Sequence, residues 1–225
     1  MLNRNPEFSG DEALNVAVYA ELRRRLVTGR IAPGHELSTR SVAQEMGVSQ
    51  TPVRDALSRL AADGAVAIRS KRRVQVPQMT HARLDDLLRC RLLLEPQAAL
   101  LAVPFMDEGR VESLRQIDAA LDRAVADGDA DAYMQSNHDF HFTLYRAQPG
   151  STLTQLIETL WLQFGPFMRV VHERLRETTP RDSHQAAIAA LTARDAQALE
   201  AAIIADITDG MGLLGRGVLS AADAS

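Results

Sequence analysis

The chain has a single cysteine, Cys90, in 225 residues. An internal disulfide is excluded, and this usage fits a reducing compartment. Aromatic residues are scarce, at 4%. The core is therefore expected to be aliphatic, built from Leu, Ala, Val and Ile, which with abundant Arg and Glu favour helix over sheet. No apolar run approaches the roughly 18–20 residues that a membrane span requires. Met1 to Gly10 lacks the hydrophobic centre of a signal peptide. That segment reads as a disordered lead-in, and the protein as cytoplasmic with no membrane partner. Internal repeats are absent too.

Charge is present but unevenly placed. Residues 1–78 hold twelve Lys and Arg against eight Asp and Glu, whereas residues 79–225 hold thirteen against twenty-one. A basic first third on an acidic remainder points to a polyanion met by the first third only. The length suggests two modest domains. Pro77 marks the linker, giving domains at residues 11–77 and 78–218.

The first domain is organised around Leu37 to Leu60, which reads as two short helices and a tight turn. Ser38 or Thr39 can cap the first helix, Val42, Ala43 and Met46 give it an apolar stripe, and Gly47 ends it. Ser49 can cap the second, with Pro52 in its first turn, where the missing N–H costs nothing. Val53, Ala56, Leu57 and Leu60 face a core, while Gln50, Thr51, Arg54 and Ser58 face out. Amides and guanidinium for base edges, with hydroxyls for phosphates, are what a recognition helix needs. A helix over Asp11–Thr28 precedes this unit, with Val16, Tyr19, Ala20, Leu22, Leu26 and Val27 on its apolar side; Arg23-Arg24-Arg25 is either a solvated face or a phosphate contact. Two short β-like runs follow, Ala65–Ile68 and Val74–Val76, around the basic tip Arg69-Ser70-Lys71-Arg72-Arg73. They make a wing suited to DNA backbone or minor-groove contact.

Pro33-Gly34, Leu37, the run Gly47-Val48-Ser49-Gln50-Thr51-Pro52-Val53-Arg54-Asp55-Ala56-Leu57, Leu60 and Asp63-Gly64 resemble the winged helix-turn-helix domain of GntR-family bacterial transcription regulators. The remainder is similar to the all-helical effector domain, called FCD, of that family's FadR-like branch. The fold class implied is mainly α, with a small two-stranded wing and an antiparallel bundle of about six helices. The helices are expected from Thr80-capped His81 to Val103, kinked at Pro96; Asp107 to Ala126; near Asp131 to the break at Pro149-Gly150; Thr152 to Glu177, kinked at Gly165-Pro166; Arg181 to Ala193; and Ala196 to Leu214. Ser220 to Ser225 reads as a disordered tail.

The resemblance implies roles for particular residues. Arg54 matches the family's base-contacting arginine, and Arg40 another DNA-contacting arginine; Ser49 and Thr51 suit phosphates. Gln50 stands where many members carry Arg, and Gln prefers adenine where Arg prefers guanine. The wing lacks the family's tip glycine and carries Lys71-Arg72, which favours phosphate contact. FCD regulators commonly hold a divalent metal with an Asp-x-x-x-His pair and two later histidines. His141 and His184 match, whereas Asn137 stands in place of the first Asp and Asp206 in place of the last His. These four suit Zn²⁺, or a harder ion such as Mn²⁺ or Ni²⁺; the alternative is a water-filled pocket. Arg91, on a core-facing helix, either pairs with Glu95 one turn on or clamps a carboxylate effector; Arg146, Arg169 and His172 are further effector candidates. His172-Glu173 does not continue into a zincin motif, because position 176 is Arg.

Together these readings describe a homodimeric, ligand-responsive repressor, not an enzyme. It would bind a pseudo-palindromic double-stranded DNA operator and respond to a small organic acid held beside a divalent metal. The alternative is a metal-sensing or constitutive DNA-binding regulator without an organic effector.

Overall fold

Ser38 does what its position implies. Its Oγ accepts a hydrogen bond of 2.9 Å from the Ser41 amide and opens a helix in the computed structural model, which describes residues 11–70, 72–174 and 183–223. The expectations for the lead-in 1–10 and for Lys71 lie outside the described residues. Three helices come first: α1 (Asp11–Val27), α2 (Thr39–Glu45) and α3 (Gln50–Ala62). Gly47 takes a left-handed φ of +67° between α2 and α3. Val53, Ala56, Leu57 and Leu60 are buried against α1 and α2. Ser49 sits at the N-cap of α3 but makes no side-chain cap bond.

On α1 the buried stripe is Val18, Leu22 and Leu26, with Val27. Val16 and Ala20 are exposed instead, because steps of four from Val18 carry the core seam past them.

The wing has one more strand than expected. β1 (Glu36–Ser38), β2 (Ala67–Ser70) and β3 (Arg73–Gln75) form an antiparallel sheet in the order β1-β3-β2. Leu37 pairs with Val74, so the lead-in to α2 is a sheet edge rather than a loop. β2 runs on to Ser70, which puts Arg69 and Arg73 on strands rather than at the tip.

Behind the linker stand α4 (His81–Ala102), α5 (Glu108–Asp127), α6 (Ala130–Tyr145), α7 (Thr152–Arg174), α8 (Ser183–Ala193), α9 (Ala196–Ile207) and α10 (Gly215–Asp223). Thr80, Asp107, Asp129 and Asp195 cap α4, α5, α6 and α9 with their side chains. The last expected helix is not continuous. The α-helix stops at Ile207 and widens into a π-helical stretch, Thr208–Leu214, before α10 resumes to Asp223. Gly210 and Gly212 put little side-chain packing in the way of that widening, and such stretches occur often at functional sites. α10 also covers Ser220 to Asp223, most of the expected tail.

The few aromatic residues are not spread evenly through an aliphatic core. Phe140, Phe142, Tyr145, Trp161, Phe164 and Phe167 are all buried together between α4, α6 and α7. Phe140, Tyr145 and Trp161 among them border the site described below.

Helix α7 is shared by both halves. A Cβ on Gly165 would lie 2.4 Å from the Val27 carbonyl oxygen, and one on Gly29 would lie 2.4 Å from Cβ of Arg169. Glycine at both positions lets α7 seat directly on the end of α1. Gln163 donates to the Asp63 carbonyl at 3.0 Å, and Arg83 donates to that of Gly64 at 3.2 Å.

Candidate functional site

Two surfaces carry polar side chains in arrangements that packing does not demand. The first is the outward face of α3 with the wing. Gln50, Thr51, Arg54 and Ser58 are exposed, as are Ser49 before the helix and Arg40 at the start of α2. Arg54 and Ser58 line a groove of about 440 Å³ together with Thr39, Ser70, Arg72 and Arg73; Leu57, Ile68 and Val74 provide its apolar wall. The groove joins the recognition helix to the wing in one cationic concavity. Arg40 and Arg54 have no ion-pair partner among the described residues. The three arginines of α1 are different: Arg24 pairs with Glu21, Arg25 with Glu21 and Glu45, and Arg23 with Glu158 of α7. Arg23 thus ties α1 to α7 and Arg25 ties it to α2, while Arg24 is paired within α1.

The second is buried. His141 on α6, His184 at the start of α8 and Asp206 at the end of α9 converge so that one ligand atom from each lies within 4.8 Å of the others. His141 Nε2 is 3.3 Å from Asp206 Oδ2 and 3.4 Å from His184 Nε2, and His184 Nε2 is 3.9 Å from Asp206 Oδ1. The outer ring nitrogens are also engaged. His184 Nδ1 lies 3.2 Å from Asp118 Oδ1 on α5, and His141 Nδ1 lies 3.2 Å from the Tyr145 hydroxyl. Burial, and after it the charge of Glu95, push the Tyr145 pKa well above its usual value, so the hydroxyl keeps its proton and donates it to Glu95 Oε2 at 2.9 Å. The tyrosine oxygen is then left to accept from His141 Nδ1, just as Asp118 accepts from His184 Nδ1. A neutral imidazole carries one proton. With those protons on Nδ1, both Nε2 atoms present lone pairs, 3.4 Å apart.

Two lone pairs and a carboxylate directed at one point are mutually repulsive until a cation joins them. Burial opposes the charge of Asp206, but protons on His141, then on His184, together with Arg91, outweigh it and bring its pKa down to about 2; a metal cation held between the rings in place of those protons would act in the same direction. The donor set of two imidazole nitrogens and one carboxylate fits a divalent transition metal with positions left open. Outer-shell partners on both histidines are what metal-binding imidazoles ordinarily have.

Asn137, the fourth residue expected here, donates its amide nitrogen to Met168 Sδ at 3.5 Å. Asp118 and Tyr145 were not anticipated. Tyr145 was within reach of periodicity, since 137, 141 and 145 form one stripe of α6. Asp118 breaks the buried run Val111, Leu114 on α5, an acid where an apolar residue belongs.

The effector candidates divide. Arg91 is buried and bound to Glu95 through Nε at 2.6 Å and Nη2 at 3.3 Å, and it lies 4.6 Å from the centre of the Phe164 ring. Burial works against its charge, but Glu95 outweighs this and raises the pKa. Glu95 in turn accepts from Trp161 Nε1 at 3.0 Å. Arg91 therefore has its carboxylate already and is not a vacant clamp. Arg146 is exposed and pairs with Glu158 at 2.6 Å, the same acid that holds Arg23 of α1. Arg169 pairs with Asp131 and Glu173, and Asp131 also binds Arg30. Both arginines thus share an acid with the first half: Arg146 shares Glu158 with Arg23, and Arg169 shares Asp131 with Arg30. His172 stacks on Tyr133 with ring centres 3.8 Å apart. Burial, and then the charge of Asp206, push the Tyr133 pKa up to about 12.

Comparison with known proteins agrees with this division. Residues 14–76 match the family described as bacterial regulatory proteins, gntR family, and residues 86–209 match the FCD domain. The chain is 30% identical over 186 residues to the HTH-type transcriptional regulator McbR of Escherichia coli, covering 81% of this chain and 84% of that protein. It is also 30% identical over 190 residues to the gluconate operon transcriptional repressor of Bacillus subtilis, covering 80% of this chain and 76% of that one. The solved structure of E. coli McbR/YncC superposes with a TM-score of 0.84 at 27% identity, over 91% of this chain and 98% of that one. Among the described residues no helix is long and apolar enough to cross a membrane.

Proposed function

Since the chain belongs to the gntR family of bacterial regulatory proteins and carries an FCD domain behind its DNA-binding domain, we propose that it is a cytoplasmic, homodimeric transcription repressor whose hold on its operator is set at the His141–His184–Asp206 cluster. It is a DNA-binding transcription regulator and not an enzyme. Repression follows its relatives, among them the gluconate operon repressor and a probable D-xylose utilization operon repressor. The single observation that carries the ligand reading is the convergence of His141 Nε2, His184 Nε2 and the Asp206 carboxylate within 4.8 Å of one another. His141, His184 and Asp206 would hold Zn²⁺, Ni²⁺ or Mn²⁺. The bound ion would supply open coordination positions for the oxygen atoms of a small carboxylate. Arg91, engaged by Glu95, would contribute only its field. A shift in the balance between two dimer states is then enough to change operator affinity.

The pairing of Arg91, Arg146 and Arg169 favours a second reading, in which the metal alone is the signal. Metal analysis of the purified protein, joined to operator binding with and without chelator, tests both. The proposal expects about one ion per chain, and a carboxylate that changes both operator affinity and melting temperature. A ligand at 100 times its Kd adds about 2.7 kcal/mol. If chelation alone releases the operator and no carboxylate acts, the metal-sensing reading stands. His141→Ala with His184→Ala should abolish stoichiometric metal; unchanged metal content would place the site elsewhere.

A homodimer is expected because one winged helix offers too few contacts for the usual operator affinity of about 10⁻⁸ to 10⁻¹¹ M. Leu93 and Leu101 stand 66% and 46% exposed, two turns apart on α4, and support a dimer face there. Leu93→Glu with Leu101→Glu should shift the protein toward monomer in analytical ultracentrifugation and weaken operator binding; an unchanged dimer would move the interface off α4.

A further inference from the structure

The two histidines of the cluster are held differently. His184 rests against a carboxylate, Asp118, directly. His141 rests against a phenol, Tyr145, four residues along its own helix, and that phenol is itself aimed by Glu95. We propose that Tyr145 and Glu95 are a positioning pair that fixes His141 in the Nδ1–H form and so keeps its Nε2 available as a metal ligand. The inference rests on the metal reading given above.

The geometry supplies each step. Glu95 is fully buried and accepts from Arg91, Trp161 and Tyr145, so its oxygens cannot donate and the Tyr145 proton has a fixed destination. With its proton directed there, the tyrosine oxygen is an acceptor for His141 Nδ1–H at 3.2 Å. The ring proton is thereby drawn to the side away from Asp206. Without the phenol, the nearest acceptor for a His141 proton is Asp206 Oδ2, 3.3 Å from Nε2. The opposite tautomer would form that bond and close the ligand position. One hydroxyl therefore decides whether the three donors present two lone pairs or one. The hydrogen bond made by the second nitrogen is the ordinary determinant of an imidazole tautomer, and losing such an outer-shell partner typically costs about 10–100-fold in metal affinity.

The test uses the full-length protein and Tyr145→Phe, which keeps the ring in its aromatic wall and removes only the hydroxyl. Zn²⁺ affinity is read by competition with a chromophoric chelator. The protonation of the His141 ring is read from ¹⁵N shifts of the metal-free protein. The wild type should show Nδ1–H at His141. The variant should show Nε2–H and bind Zn²⁺ about 10–100-fold more weakly, with Trp161 fluorescence and oligomeric state unchanged. Glu95→Gln, which leaves an oxygen or an amide opposite the phenol, should give a mixture of tautomers and an intermediate affinity. Equal Zn²⁺ affinity in wild type and Tyr145→Phe overturns the proposal. A wild type that takes up no metal overturns the reading of the site instead, and the ring nitrogens still decide the role of Tyr145: an unchanged tautomer in the phenylalanine variant refutes it.

Discussion

Glu95→Ala should cost about 3–5 kcal/mol of stability, the usual penalty for removing one partner of a buried ion pair. Glu95 has no solvent exposure and receives four hydrogen bonds: two from Arg91 at 2.6 and 3.3 Å, one from Tyr145 at 2.9 Å and one from Trp161 at 3.0 Å. Alanine leaves a guanidinium, a phenol and an indole N–H buried together, and the guanidinium dominates the cost. Domains are held by only about 5–15 kcal/mol in all, so the loss should be plain as a lower midpoint in urea denaturation. The double variant Arg91→Met with Glu95→Leu removes both charges and should recover most of it. A loss below about 1 kcal/mol for Glu95→Ala, the size of an exposed pair, would contradict the burial of the network.

The distribution of such groups explains what could be read from the residues alone. The helix-turn-helix was legible because its determinants are local. Ser38 caps, Gly47 turns and Pro52 sits in a first turn, and each acts within four residues of itself. His141, His184 and Asp206 were legible through family resemblance, although the three come from different helices. What stayed hidden was long-range. Arg146 and Arg169 are candidate effector ligands by sequence, and their ion pairs could not be read there. Nothing in the spacing of α6 and α7 said that Glu158 and Asp131 would face the same way and meet Arg23 and Arg30. The π-helical stretch after Asp206 was hidden for a related reason, since glycines permit a widened turn but do not require one.

The seam between α7 and α1 also bears on what the proposed ligand response would have to move. Helix α7 bears Trp161 on Glu95 and, one turn later, Gly165 on the end of α1. The same helix thus touches the buried network and the DNA-binding domain within a single turn. Under the proposed function, a change at the cluster would not need to propagate through the whole bundle to reach the DNA-binding domain; it would have to displace one helix against a glycine seat that tolerates little adjustment.

Arg54→Ala should remove sequence-specific DNA binding and leave the assembly intact. Arg54 is the fifth residue of α3, exposed, and open to the groove between that helix and the wing. A guanidinium so placed reads guanine through O6 and N7, and a good bidentate pair is worth about 1–3 kcal/mol of discrimination, counted once for each half-site in a dimer. Its truncation empties no core position, because Val53, Ala56, Leu57 and Leu60 hold the helix from the other side. Melting temperature and oligomeric state should therefore stay as in the wild type, while operator affinity falls to the level of random DNA. Arg72→Ala is the contrasting case. Arg72 lies exposed on the wing, so its loss should weaken all sequences alike and reduce the salt slope by about one. Gln50 provides a third arm: Gln50→Arg should move preference from adenine toward guanine at the position it faces. Mobility-shift assays on operator variants at two salt concentrations separate the three outcomes. Retained operator discrimination in Arg54→Ala would remove α3 from the base-reading role.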